Sequence, residues 1–398
     1  MFSIPFTRSS ALPGIAYPPP NGETPAEPPM RTFIRTARAG QIAELVHHRG
    51  MPSRPSFAAR LVAWQRRHGR HDLPWQRTRD AYRLWLSEIM LQQTQVVTVI
   101  PYYERFVARF PTVADLGRAD EDEVMALWSG LGYYARARNL HRAAREVGER
   151  FGGEFPTAFE ALVSLPGVGR STAGAIAAFA AGERRAILDG NARRVIARHA
   201  GIEGDPSSAA VLARLWSEAE ARLPEDGIEP YTQGLMDLGA GVCLAREPQC
   251  LVCPVRDDCA ARRTGRTAQI PGRKPRAPAR RKRIAMLVVL SKGEVLLEKR
   301  PPSGIWGGLW SLPEANADER PEAVLAREWG LDTADVGALE PFEHAFTHFT
   351  LEVTPWRVRV RDASALAEGK TATWLPLSEL AGAALPSPVR SLLAKLAD

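Results

Sequence analysis

The sequence predicts a multidomain protein, an all-α core followed by a smaller α+β domain, on three observations. From Phe57 to about Arg263, apolar residues recur at helical spacing. Beyond a basic run, the period changes to strand-like alternation from Ile284 onward. All four cysteines fall in one short segment near the end of the helical part. The 398 residues are enough for two or three domains of about 150 residues each.

In chain order, residues 1–55 are rich in Pro, Ser, Thr and Arg and predict a disordered extension, for which a true start at Met51 would account. Residues 56–261 form the helical core. Tyr82, Trp85, Leu86, Ile89 and Met90 fall on one helical stripe, and similar stripes recur at Val124–Trp128, Leu140–Val147, Thr172–Ala180, Arg193–Ala200 and Val211–Ala219. Pro111, Gly130, Gly132, Pro156 and Pro166 separate them. Residues 262–283 read as a basic linker, and 284–398 as the α+β domain. There Ile284–Leu290 and Val295–Lys299 are strands joined by a tight turn, Phe349–Val360 is a further strand, and Ala323–Trp329 and Pro388–Leu396 are helices.

Composition narrows the function. An apolar share of 45% with 24% charged residues fits a water-soluble globular chain. The apolar run near Ala173–Ala181 is far shorter than the roughly 18 residues a membrane span needs, and the proline-broken N-terminus lacks a secretory signal. The net charge of +7 resides in residues 262–283, which hold ten Arg or Lys and no acid, so charge alone does not establish nucleic-acid binding. No lysine precedes Lys274, so the core offers no side-chain amine. The Arg-rich, Lys-poor usage points to a GC-rich bacterial genome and a cytoplasmic, nucleoid-associated protein.

The cysteines are spaced Cys243-x6-Cys250-x2-Cys253-x5-Cys259. Four thiolates in one loop suit a [4Fe–4S] cluster, with four-thiolate zinc as the alternative. Upstream, Leu165-Pro166-Gly167-Val168-Gly169-Arg170-Ser171 places a Gly-x-Gly turn between two helices. Such a turn brings backbone N–H groups close to a phosphate, with Arg170 and Ser171 beside them; equally, it can simply join two helices. Asp189, in Leu188-Asp189-Gly190-Asn191, sits where a carboxylate is either a helix N-cap or an anion at the mouth of a cleft. Glu88 lies beside a buried stripe and by itself would read as a surface glutamate.

Taken in order, Trp85-Leu86-Ser87-Glu88-Ile89-Met90-Leu91-Gln92-Gln93-Thr94-Gln95, Gly130-Leu131-Gly132-Tyr133-Tyr134-Ala135-Arg136, the Gly-x-Gly hairpin, the Leu188–Asn191 turn and the cysteine loop closely resemble adenine DNA glycosylases of the MutY type. These belong to the helix-hairpin-helix superfamily that includes endonuclease III. The resemblance runs from Phe57 to about Leu385. It implies a [4Fe–4S] cofactor on Cys243, Cys250, Cys253 and Cys259, and a monomer acting on double-stranded DNA with adenine opposite 8-oxoguanine. Glu88 would be the general acid and Asp189 the carboxylate that stabilises the sugar cation. Gln92, Gln93 and Tyr133 would fill the gap left by the extruded base, and Gly167, Gly169, Arg170, Ser171 and Asn191 would contact DNA.

Lyase relatives use a hairpin lysine where this chain has Ser171, so the resemblance implies base release without efficient strand cutting. Arg193 stands where many family members carry a further lysine. A noncatalytic damage-binding protein is the reading from another class, opposed by the intact Glu88 and Asp189. The C-terminal domain resembles the Nudix fold; Gly308, Glu314, Arg327 and Glu328 echo its motif without the paired metal-binding acids. In the family this domain reads 8-oxoguanine through a Phe-Ser-His loop, here Phe346-Thr347-His348.

Overall fold

The computed structural model describes residues 55–272, 280–346, 348–362 and 371–397. Residues 1–54, which make up nearly all of the predicted extension, and Thr347 lie outside the described residues.

The core begins with α1 (Phe57–His68), whose N-cap Ser56 accepts the Ala59 N–H at 3.1 Å. In α2 (Ala81–Leu91) the predicted stripe Tyr82, Trp85, Leu86, Ile89 and Met90 is buried throughout. The chain continues through α3 (Val96–Arg109), α4 (Val113–Arg118), α5 (Glu121–Trp128), α6 (Ala135–Arg150) and α7 (Phe159–Val163). After the Gly-x-Gly turn come α8 (Arg170–Ala181), α9 (Gly190–Ala200), α10 (Ala209–Ala221), α11 (Ile228–Asp237) and the single turn α12 (Ala260–Arg263).

These helices build two apolar cores. One gathers Trp85, Phe106, Trp128, Leu140 and their neighbours; the other gathers Leu61, Ile196, Leu215 and Tyr231, with Cys243, Cys253 and Cys259 packed against it. Helix α8 serves both, because its small side chains point two ways: Ala173, Ile176 and Ala177 enter the first core, Ala175 and Ala178 the second. It is the shared wall between two lobes.

The C-terminal domain is a mixed sheet of β1 (Arg280–Ser291), β2 (Glu294–Lys299), β3 (Trp310–Ser311), β4 (Glu314–Asn316), β5 (Thr333–Ala338), β6 (Phe342–Ala345), β7 (Phe349–Val360) and β8 (Ala372–Pro376), with α13 (Pro321–Trp329) and α14 (Ser387–Ala397). Its central path runs β3-β2-β1-β7-β5, with β1 parallel to β7. The predicted hairpin is present, pairing Leu290 with Val295 through Lys292 and Gly293, both at positive φ as a two-residue turn of this hand requires. Alternation sorts β1: Ile284, Met286 and Val288 join the first helical core, whereas Ala285, Leu287 and Val289 pack with Val324, Leu325 and Trp329 of α13.

The basic run 262–283 is less of a tether than its charge suggests. Ile270 is buried in the second core, and β1 already begins at Arg280, drawn into register by Phe349 of β7. Residues 273–279 lie outside the described residues. Among the described residues no helix is long and apolar enough to cross a membrane.

Candidate active site and DNA-binding surface

Glu88 comes from the first lobe on α2, and Asp189 from the second, at the start of α9. Their meeting depends on α8. Helix α2 packs along it, and the extended segment Ala186–Leu188 lies so close that a Cβ on Gly174 would stand 2.7 Å from the Ala186 carbonyl oxygen. Ser171 fixes this approach, its Oγ accepting the Leu188 N–H at 2.9 Å. Asp189 does cap α9, accepting the Ala192 N–H at 2.7 Å, and yet its charge also acts on Glu88 of the other lobe.

The two carboxyls differ electrostatically. Burial, reinforced by the charge of Asp189, raises Glu88 from 4.5 to about 8, so it carries its proton at neutral pH. Burial also raises Asp189, but backbone N–H groups of Ala192 and Asn191 and the guanidinium groups of Arg194 and Arg193 pull the other way and favour its anion. One site therefore holds a proton donor and a second carboxyl whose burial is opposed by hydrogen bonds and positive charge, each partly open to solvent.

At the end of α2 the chain turns through Gln93, at φ +58°, and in the turn before α6 Tyr133 sits at φ +50° with 47% of its surface exposed. Backbone conformations this unfavourable for residues with side chains persist only where surroundings enforce them. The enforcing group is Arg136, which the sequence reading did not single out. One guanidinium nitrogen donates to the carbonyls of Ile89, Met90 and Gln92 at 2.7–2.9 Å, and the other to Thr94 Oγ1, Leu131 O and Gly132 O at 3.1–3.4 Å. It also lies over the rings of Trp128 and Tyr133. Its signal was present: Arg136 sits on the buried stripe of α6 with Leu140, Ala143 and Val147, an odd place for a cation. Gln92 reaches Thr172 Oγ1 of α8 at 3.4 Å.

In the hairpin, Gly167 needs its φ of +79°, and a Cβ there would stand 2.9 Å from Asn139 of α6. Gly169 has ordinary φ and caps α8; a Cβ there would meet nothing, so the surface stays open to an approaching backbone. Val168 between them is buried, anchoring the turn. Arg170 is paired with Glu220 and stacked on Trp216, its centre 3.9 Å from the ring centroid. Asn191 Oδ1 accepts from Arg194 Nη2 at 2.9 Å, and Arg194 continues to the carbonyl oxygens of Gly239 and Cys243, both at 2.7 Å.

The four cysteines line one cavity beside α9. Among the described residues no group of three or more His, Cys, Asp or Glu is arranged to hold a single metal ion. Buried Arg198 donates to Cys243 Sγ at 3.3 Å and to Leu244 O at 2.6 Å, placing a cation against the thiols. Burial and the neighbouring thiols push Cys253 up to about 12, so four thiolates are disfavoured there without a positive group between them. The loop's Arg246, Arg256, Arg262 and Arg263 are exposed.

In the C-terminal domain, Phe346 stacks on Phe349 at 4.5 Å and closes the turn between β6 and β7 through its N–H to Phe349 O at 2.8 Å. His348, just before β7, is exposed. Glu314 is paired with Arg300 at 3.1 Å and Arg327 with Glu319 and Glu328 at 2.9 Å, so these remnants of the Nudix motif are engaged in ion pairs.

Residues 86–221 match the HhH-GPD superfamily of base excision DNA repair proteins, and residues 285–395 match the NUDIX domain family. The helical core with its two carboxyls is thus that of a helix-hairpin-helix DNA repair glycosylase. Within that class the chain belongs to the adenine DNA glycosylase family. It is 34% identical over 344 residues to the adenine DNA glycosylase of Buchnera aphidicola subsp. Schizaphis graminum (strain Sg), covering 85% of this chain and 97% of that protein. It is also 34% identical over 403 residues to the adenine DNA glycosylase of Mus musculus, covering 86% and 78%. Among solved structures, a thermostable thymine-DNA glycosylase is 29% identical, with a TM-score of 0.47 over 52% of this chain and 95% of that one.

Proposed function

We infer that this enzyme hydrolyses the N-glycosidic bond of adenine opposite 8-oxoguanine in double-stranded DNA, with adenine opposite guanine as a further substrate, and leaves the strand uncut. The observation that carries the reading is the pair Glu88 and Asp189: burial raises Glu88 to about 8, and at Asp189 the same effect of burial is opposed by backbone N–H groups and two guanidinium groups that Glu88 lacks. Adenine leaves poorly as an anion. Protonation of a ring nitrogen by Glu88 makes it a neutral leaving group, and Asp189 stabilises the positive sugar left behind. Water then adds to the sugar carbon, releasing a proton to solvent and leaving an abasic site.

Other residues serve access. Gln93 and Tyr133, held by Arg136, stand ready to fill the stack when adenine is extruded, with Gln92 behind them. The hairpin of Gly167 and Gly169, with the exposed guanidinium of Arg170, meets the backbone phosphates. Ser171 and Asn191 support this surface from within, through Leu188 and Arg194. The turn Phe346–His348 reads the opposite base.

Cys243, Cys250, Cys253 and Cys259 would hold a [4Fe–4S] cluster. Zinc would need all four sulfurs about 2.3 Å from one point, whereas thiols lining a cavity suit a larger, multi-atom group, with Arg198 offsetting its negative charge. The hydrolysis is redox-neutral and needs no electrons, so a cluster held by these cysteines would serve as a cross-link ordering residues 243–259 and their exposed arginines.

Strand cutting through a Schiff base needs an amine near the sugar. The hairpin position holds Ser171, and the described lysines, Lys282, Lys292, Lys299 and Lys395, all belong to the C-terminal domain. The test is cleavage of a duplex with one adenine opposite 8-oxoguanine, with and without alkali, beside a duplex with adenine opposite thymine. Breaks only after alkali, and only in the lesion duplex, are expected. Breaks without alkali would contradict the absence of lyase chemistry.

A further inference from the structure

Two arginines one turn apart would be neighbours on a helix face, but Arg136 and Arg138, two residues apart on α6, point to different partners. Arg136 holds the end of α2 and the Gly130–Gly132 turn. Arg138 leaves the helical core altogether and donates through Nη1 to the carbonyl oxygen of Gly307 in the C-terminal domain. That loop has little freedom. A Cβ on Gly307 would stand 2.7 Å from Pro302 O, and one on Gly308 would stand 3.2 Å from Arg138 Cδ. Gly308 sits at φ +79°, and Trp306, only 5% exposed, sits at φ +53° with its carbonyl accepting the Leu309 N–H at 3.0 Å.

Trp306 in turn abuts the turn between β6 and β7. Its ring centroid is 5.8 Å from that of Phe346 and 5.9 Å from that of His344, and these two meet edge to face at 4.7 Å. A continuous series of contacts therefore runs from α6 through Gly307 and Trp306 to Phe346 at the end of β6. Among the described residues the domains also meet through Asp122 with Lys299 and Trp310, which flank the same loop, through Ser129 with Leu385 and Arg390, through Tyr134 with Ser387, and through apolar packing that includes Trp306. Of the hydrogen bonds named, only that of Arg138 is made from the core to the Trp306–Gly308 segment itself.

We propose that Arg138 is a positioning residue for lesion recognition: by fixing the Trp306–Gly308 loop to the helix that also carries Arg136, it sets where Phe346 stands relative to the catalytic core. This rests on the reading of the Phe346–His348 turn given under Proposed function. Arg138 touches neither base nor sugar, so its effect falls on discrimination between opposite bases and spares the bond-breaking step.

The experiment measures affinity and single-turnover adenine release on duplexes with adenine opposite 8-oxoguanine and opposite guanine. In Arg138→Ala the affinity preference for the 8-oxoguanine duplex should fall about ten-fold, the scale of one hydrogen bond to a charged group. Release from the guanine duplex should stay within about two-fold of the parent. Arg138→Lys, which keeps a donor, should recover part of the preference. Trp306→Leu should reproduce the loss, and the double variant should lose no more than either single one. Equal weakening on both duplexes, or an unchanged preference in all three variants, would overturn the proposal. A parent enzyme with no preference for 8-oxoguanine would instead overturn the lesion reading beneath it, and the proposal with it. If Arg138→Ala fails to fold, Arg138→Lys and Trp306→Leu, compared singly and together, decide the same question.

Discussion

The charge of Asp189, held in place by the Ala192 N–H, adds to burial in keeping the proton on Glu88 up to about pH 8. A general acid works only while protonated. Single-turnover adenine release should accordingly be flat through neutral pH and fall as pH rises through about 8, in a rate profile measured at saturating enzyme. A rate that climbs across that range would mean Glu88 acts as a base.

The same shift has a cost in stability. In the unfolded chain Glu88 returns to about 4.5, so between 4.5 and 8 the folded state retains a proton that the unfolded state releases. Folding stability contributed at this site declines as pH rises across that window. Glu88→Gln removes the titration and should stabilise the protein by on the order of 2 kcal/mol near pH 8, and by much less near pH 5. Urea unfolding at the two pH values checks this; equal effects at both would contradict it.

Arg136 should tolerate neither removal nor conservative exchange. Arg136→Ala takes the guanidinium from the carbonyls of Met90 and Leu131 and leaves those of Ile89 and Gly132 with one remaining donor each, at a cost of about 3 kcal/mol or more. Arg136→Lys keeps the charge but cannot divide one planar group between two loops. It should fold with a lowered melting temperature and bind DNA more weakly than the parent in a titration, because Gln93 and Tyr133 lose their support.

Ser171→Ala leaves the Leu188 N–H without its acceptor, an effect of about 1–2 kcal/mol. It should slow adenine release by letting Asp189 drift, while affinity for an abasic-site duplex stays unchanged. Ser171→Lys supplies the missing amine at the hairpin and should produce some strand breaks without alkali, read on a denaturing gel.

On the proposal that the four cysteines hold a [4Fe–4S] cluster, replacing Cys253 with Ser should abolish iron content and visible absorption. It should loosen residues 243–259, and with them the exposed Arg246 and Arg256, so DNA affinity drops more than the rate of release once bound.

How much of this was legible in the sequence follows from how local each feature is. Helix α2 and its stripe depend on spacing alone, and so do β7 and the β1–β2 turn with its Lys292-Gly293 pair; these match the structure closely. Short strands such as Glu314–Asn316 and Thr333–Ala338, half-exposed and supported only by long-range partners, left no period to read. The parallel pairing of β1 with β7 joins residues about seventy positions apart and has no local signature. At the site, Glu88 and Asp189 were legible as residue types in motifs. That Ser171 holds Leu188, and that Arg138 crosses to Gly307, could be known only once the chain had folded.

The central claim is that Glu88 delivers the proton that lets adenine leave. It is tested most directly by single-turnover release from a duplex with adenine opposite 8-oxoguanine, comparing the parent with Glu88→Gln at matched DNA occupancy. The account predicts that the variant binds the duplex as tightly as the parent and releases adenine at least about a hundred-fold more slowly. Release at the parent's rate from the bound variant would contradict it.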